Sequence, residues 1–134
     1  MSDNPDFAKA REQQHAWKHA EIQRAAVAIV QAGLAELTAG RGHFGPDNIP
    51  ESITFDGQGI VGSAVHMLRA ANVIRDCWLH RPTEGIVHGR RASKRPSANG
   101  RKIALYQLTS RAMAEAYLAR NGLPQAPLQI EMAL

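Results

Sequence analysis

Cysteine is almost missing from this chain: one residue, Cys77, in 134. A single thiol excludes an internal disulfide framework and any zinc module built on paired cysteines. Long apolar runs are missing too. The longest, Ala25 to Val30, falls far short of the ~20 residues a membrane helix needs. Aromatic residues are scarce, with three Phe, two Trp and two Tyr, so platforms for stacking single-stranded bases are few. The opening residues Met1 to Asp6 are polar and acidic, unlike a secretory leader. The expectation is one soluble domain of a reducing, cytosol-like compartment with no membrane segment. A chain of this length can bury roughly two-thirds of its unfolded surface and needs no covalent staple.

Acidic residues are missing from one stretch in particular. Between His88 and Lys102 stand six cations (Arg90, Arg91, Lys94, Arg95, Arg101 and Lys102) and no acid. The whole chain has sixteen Lys and Arg against twelve Asp and Glu, a net charge of +4. Outside the stretch, ten cations face twelve acids, a balance of −2. A mildly acidic body thus carries one concentrated basic element. Such a localised patch is the electrostatic footprint of a polyanion binder; the plainer alternative is a solvated loop.

Residues 6–39 contain no proline, and their first glycine is Gly33. They are rich in Ala, Gln, Glu and Lys, which favour helix. The composition predicts a helix from Pro5 or Asp6 to Leu37, with a weak point at Gly33. Gly40 to Pro46 breaks it. Asp47 to Ser52 reads as a short helical turn limited by Pro50, and Ile53 to Phe55 as a brief extended segment. Asp56 is placed to cap a second helix, Gly57 to Asn72, whose apolar residues recur at helical spacing. Asn72 suits a left-handed exit. Ile74 to His80 reads as extended and Arg81 to Gly85 as a break. Ile86 to His88 and Lys102 to Leu108 are expected to pair as a hairpin, its basic tip turning at Asn99-Gly100. Thr109 or Ser110 caps a last helix, Arg111 to Asn121, closed by Gly122. The tail from Gln125 either docks as a strand or is disordered.

The run Gly59 to Ile74, followed by Arg91-Ala92-Ser93-Lys94-Arg95-Pro96-Ser97-Ala98-Asn99-Gly100-Arg101-Lys102, resembles small phage- and prophage-type winged-helix proteins. In these a Gly-containing helix is followed by a wing of the form Arg-Ser-x-Arg-Pro-Ser-x-x-Gly-Arg and a strand ending in an aromatic residue, here Tyr106. The likeness covers residues 44–108. It implies an α+β winged-helix fold and a DNA-binding role. Residues 1–40 would be a helical extension suited to dimerisation, 41–122 the winged helix, and 123–134 a tail. The last helix is a second candidate for the homodimer interface.

The residues themselves support that expectation. A helix enters the major groove, where base edges present donors and acceptors. Gln58, Ser63, His66 and Arg69 lie on the polar side of the second helix and can meet them. Gly57, Gly59 and Gly62 either admit phosphate closely or pack against the first helix. The wing cations Arg90, Arg91, Lys94, Arg95, Arg101 and Lys102 suit phosphates. The expected partner is double-stranded DNA, and the expected role is transcriptional regulation or replication. The rivals are a protein-interaction adaptor on the same scaffold and an RNA binder.

Catalytic signals are weak. His15 and His19 share a helical face but lack a third ligand. His80 and His88 flank the Pro82 turn with only Glu84 nearby. Asp47, Glu51 and Asp56 match no nuclease spacing, and Asp47 and Asp56 serve better as caps. Cys77 has no identifiable base and reads as a buried thiol. Gly57-Gln58-Gly59-Ile60-Val61-Gly62 spells a dinucleotide fingerprint without the βαβ unit that gives it meaning. The expectation is a non-enzyme without metal or cofactor.

Overall fold

Burial of six consecutive helical residues decides the architecture. In the computed structural model, which describes residues 5–55, 57, 59–94 and 101–122 (side chains from residue 17), helix α1 spans Pro5–Thr38. Residues Ala25 to Val30 are all buried, so the helix is covered on every side there. Helix α2 (Ile60–Ala70) and helix α3 (Arg111–Asn121) supply much of that cover. Phe44, Ile49 and Ile74 fill the remaining gaps.

Gly33 does not break α1. A Cβ there would lie 2.9 Å from the Phe44 ring and 3.0 Å from Leu108, so glycine lets those side chains close on the helix backbone. Two polar ties fix its neighbours. Gln23 Nε2 donates to the Tyr117 hydroxyl of α3 at 3.0 Å. Arg24 donates to the Thr54 carbonyl at 2.5 Å and lies over the Phe55 ring.

After α1 the chain makes a 3-10 turn at Pro46–Asn48, shorter than the expected turn through Ser52. Ile53 to Phe55 is not a strand. The β-bridge forms earlier, between Phe44 and Tyr106. Helix α2 begins at Ile60 rather than Gly57, because Gly57 (φ 109°) and Gly59 (φ 75°) hold left-handed conformations that a helix cannot continue. Gly59 occupies the N-cap; the expected cap, Asp56, lies outside the described residues. Asn72 exits at φ 60°, the left-handed position the sequence predicts. Ser110 caps α3, its Oγ accepting from the Met113 N–H at 3.1 Å.

The strands depart most from expectation. Among the described residues six short strands follow α2: β1 (Ile74–Asp76), β2 (Trp78–Arg81), β3 (Gly85–His88), β4 (Arg90–Ala92), β5 (Lys102–Ala104) and β6 (Tyr106–Leu108). They form three antiparallel ladders, β1 with β6, β2 with β3 and β4 with β5. Ile86 to His88 therefore pairs with 78–80, not with 102–108, and the basic ribbon starts at Arg90. The expected single strand 102–108 is divided at Leu105. The three ladders meet at a closed ring of backbone hydrogen bonds. Cys77 N–H donates to Leu105 at 3.1 Å, Leu105 to Gly89 at 2.8 Å, and Gly89 to Cys77 at 2.6 Å. All three residues are buried. A Cβ on Gly89 would sit 3.1 Å from the Cys77 carbonyl oxygen and 3.3 Å from Leu79, so the junction closes around a glycine.

The described residues form an α+β domain of three helices with small antiparallel ribbons, as the composition and element order imply. Among the described residues, no helix is long and apolar enough to cross a membrane. The tail 123–134 lies outside the described residues.

Candidate nucleic-acid interface

Helix α2 buries Ile60, Ala64, Val65 and Leu68 and exposes Gly62, Ser63, His66, Arg69 and Ala70. The two sets are separated by helical periodicity, so one polar stripe faces outward. Ser63, His66 and Arg69 thus lie on a single face; Gln58 lies outside the described residues. Gly62 stands in the first turn with nothing within 4 Å of where a Cβ would be, and the same holds for Gly59. Neither glycine is needed for packing against α1. Gly62 nonetheless costs the helix about 1 kcal/mol relative to alanine, a cost that no contact among the described residues explains.

Arg69 is already engaged. Its Nη2 donates to Asp76 Oδ2 at 2.9 Å, on strand β1 beside the helix C-terminus. The other carboxylate oxygen lies 3.8 Å from His88 Nε2. Tyr106 stands among these groups. Burial pushes its phenol above the ordinary pKa, Arg69 and Arg90 pull it back, and Asp76 adds to the rise. Arg69 of α2 and Arg90 of the basic ribbon therefore act on one phenol from two elements. The start of α2 and the ribbon also face one cleft of about 510 Å³, whose lining includes Gly59, Val61, Gly62, Ser93 and Ile103.

Along the ribbon the side chains alternate. Arg90 pairs with Ala104, Arg91 with Ile103 and Ala92 with Lys102. Arg90 and Lys102 point outward and are exposed, while Arg91 and Ile103 turn toward the body. Arg91 Nη2 donates to Asp47 Oδ1 at 2.6 Å and to Asn48 Oδ1 at 2.8 Å. Asp47 Oδ2 accepts the Lys94 backbone N–H at 2.8 Å, and its side chain is 2% exposed. Asp47 is thus not a helix cap but the anchor of the ribbon base.

Glu36 extends the network by accepting from Asn48 Nδ2 at 3.0 Å and pairing with Arg41. The Arg41 hydrogen bond holds the Glu36 carboxyl below its usual pKa, against a smaller opposing effect of burial; Arg41, Lys94 and Arg91 charges add to the lowering. Arg90, Lys94, Arg101 and Lys102 take no part in the ion pairs among the described residues. Arg95 and the Asn99-Gly100 turn lie outside those residues.

Sequence reasoning overlooked the hairpin β2–β3. Trp78 pairs with His88 and His80 with Ile86, so all four share one face. Trp78 is 59% exposed and Ile86 71% exposed. The His88 ring bridges the Trp78 ring (5.5 Å between centroids) and the Tyr106 ring (5.7 Å). A cleft of about 430 Å³ between this hairpin and the ribbon is lined by Arg81, Glu84, Val87, His88, Arg90 and Lys102. Only the unexpected pairing could reveal it, since residues 81–85 read as a mere break.

Other candidate chemistry stays dispersed. Among the described residues no three His, Cys, Asp or Glu side chains converge as a metal site. His80 and His88 are offset along the hairpin rather than paired. Among the described residues, Gly59 and Gly62 sit at the start of α2 and the ladders are all antiparallel, so no βαβ unit surrounds them. Cys77 is 2% exposed, and burial raises its pKa. No family model, curated protein or solved structure matches the chain.

Proposed function

We propose that this chain is a winged-helix domain that binds double-stranded DNA, with α2 as the recognition helix and the β4–β5 ribbon as the wing. The element order supports the fold reading. A long helix, a bridging residue (Phe44), a short turn and a second helix lead into strand β1, and β6 lies between β1 and Phe44. The observation that carries the function is the cleft in which Gly59, Val61 and Gly62 at the start of α2 face Ser93 and Ile103 of the ribbon, beside the ribbon's exposed cations. A helix in the major groove and a basic ribbon on the flanking backbone would engage one duplex together. Gly62 fits the same arrangement, because its open first-turn backbone can approach a phosphate.

The contacts divide by role. Ser63 and His66 face base edges. Arg90, Lys94, Arg101 and Lys102 take phosphates, and Arg95 joins them if the tip follows. Arg69 reaches the DNA only by leaving Asp76, and Arg91 braces the wing. A regulatory or replication-associated role in a phage or bacterial setting agrees with the sequence resemblance.

The test is binding to duplex DNA across a salt series. Four phosphate contacts give a slope of log K against log salt of about −4. Replacing Arg90, Lys94, Arg101 and Lys102 together by alanine should flatten it. Absence of binding at low salt, or a slope unmoved by those four changes, would end the proposal.

A further inference from the structure

We infer that duplex binding is coupled to the uptake of one proton by His88, which takes over Asp76 when Arg69 leaves it for the DNA. This rests on the DNA-binding reading and adds a pH-sensitive switch to the same surface. The switch is one carboxylate with two cationic claimants. Asp76 stands on β1 with its side chain 15% exposed, and its Oδ2 accepts from Arg69 Nη2 at 2.9 Å. Oδ1 is buried, makes no hydrogen bond among the described residues, and lies 3.8 Å from His88 Nε2. Arg69 of α2 and His88 of β3 thus approach the same carboxylate, one at each oxygen.

Of the two, Arg69 is the one able to leave. It is 46% exposed on the outward stripe of α2, whereas His88 sits between the Trp78 and Tyr106 rings. When Arg69 turns to the DNA, Asp76 is left as a largely buried charge without a partner, a costly state. Protonation of His88 removes that cost in place. His88 Nε2 lies 3.0 Å from the Leu105 carbonyl oxygen, which can only accept. Nε2 therefore carries the hydrogen of the neutral ring, and the incoming proton goes to Nδ1.

The charges around the ring set the direction of the coupling. Arg90 of β4 and Lys102 of β5 line a cleft with His88, as do Arg81 and Glu84 of the hairpin. Arg81 and Glu84 are of opposite sign and oppose each other. Tyr106 is a neutral phenol at physiological pH. Arg90 and Lys102 resist a further positive charge on the ring, and Arg69 keeps Asp76 neutralised. DNA reverses both effects: phosphates offset Arg90 and Lys102, and the departure of Arg69 uncovers Asp76. Each change raises the proton affinity of His88. By reciprocity, protonated His88 strengthens duplex binding by the same factor.

Duplex affinity is measured at fixed salt from about pH 8 to about pH 5, the window in which histidine ordinarily titrates. The full-length protein carries His66→Gln, so that the histidine on the α2 stripe adds no charge of its own. Binding should be about tenfold tighter at the acid end, a coupling typical of linked sites. Adding His88→Gln should abolish the rise. Adding Asp76→Asn should also abolish it and give tight binding already at the alkaline end, a gain that should vanish with Arg69→Ala. A rise that survives His88→Gln, an Asp76→Asn protein that binds no tighter at the alkaline end, or a gain that persists without Arg69 overturns the inference while leaving duplex binding intact. Nuclear magnetic resonance titration of the His88 ring in wild type answers the same question without substituting packed residues. Its midpoint should be higher in the duplex complex than in the free protein, and an unmoved midpoint overturns the coupling. Absence of duplex binding at every pH overturns both readings.

Discussion

The pairing of Asp47 with Arg91 turns a residue that looks like a DNA contact into a brace, and the two roles predict opposite behaviour. In Asp47→Ala, the Arg91 guanidinium loses its counter-ion and the Lys94 N–H loses its acceptor. Removing one partner of a fully buried pair costs about 3–5 kcal/mol. Here Asp47 is 2% exposed but Arg91 is 23% exposed, so water recovers part of the loss. The expected cost is about 2 kcal/mol. For a chain of this size that lowers the melting temperature by roughly 8 °C. A double-mutant cycle with Arg91→Ala should return a coupling of about 1–1.5 kcal/mol. Thermal melts of wild type, both single variants and the double variant provide the numbers. The DNA assay supplies the other half. Arg91→Ala should leave the salt slope unchanged, whereas Arg90→Ala should reduce its magnitude by about 0.9. The brace reading is refuted if the coupling is indistinguishable from zero and Arg91→Ala lowers the slope as Arg90→Ala does.

Three further outcomes follow from the same geometry. Gly33→Ala gains about 1 kcal/mol of helix propensity but drives a methyl against Phe44 and Leu108; Phe44 is 2% exposed and cannot retreat. Overpacking of about 1–3 kcal/mol should win, and a denaturation midpoint above wild type would contradict this. Glu36 titrates below its ordinary value of 4.5 when folded, so its contribution to stability is complete above that value and is lost as pH falls through the lower folded pKa. The stability gap between wild type and Glu36→Gln, measured by denaturant titration at several pH values, should close on acidification; a constant gap would contradict the assignment. Cys77, buried at the strand junction with its pKa raised, should resist iodoacetamide in native protein and react once denaturant is added. Labelling at the free-thiol rate in the native state would mean that the junction opens on its own.

Much of the helical framework was legible because helix signals are local. Residues 5–38 form α1, Asn72 takes its left-handed exit and Ser110 its cap, each from a side chain acting on backbone within a turn of itself. The concentration of cations before Lys102 was equally plain, being a property of composition alone. What the sequence left open is the pairing of the strands, since short segments such as 86–88 carry no mark of their partner. Ile86 to His88 joins 78–80 because the ladders must converge on the buried ring of Cys77, Gly89 and Leu105, a condition set by residues far apart in the chain. The same distance hid Arg91's partner: Asp47 lies 44 residues away, and only the alternation of a ribbon seated against the body turns Arg91 inward while Arg90 and Lys102 face solvent.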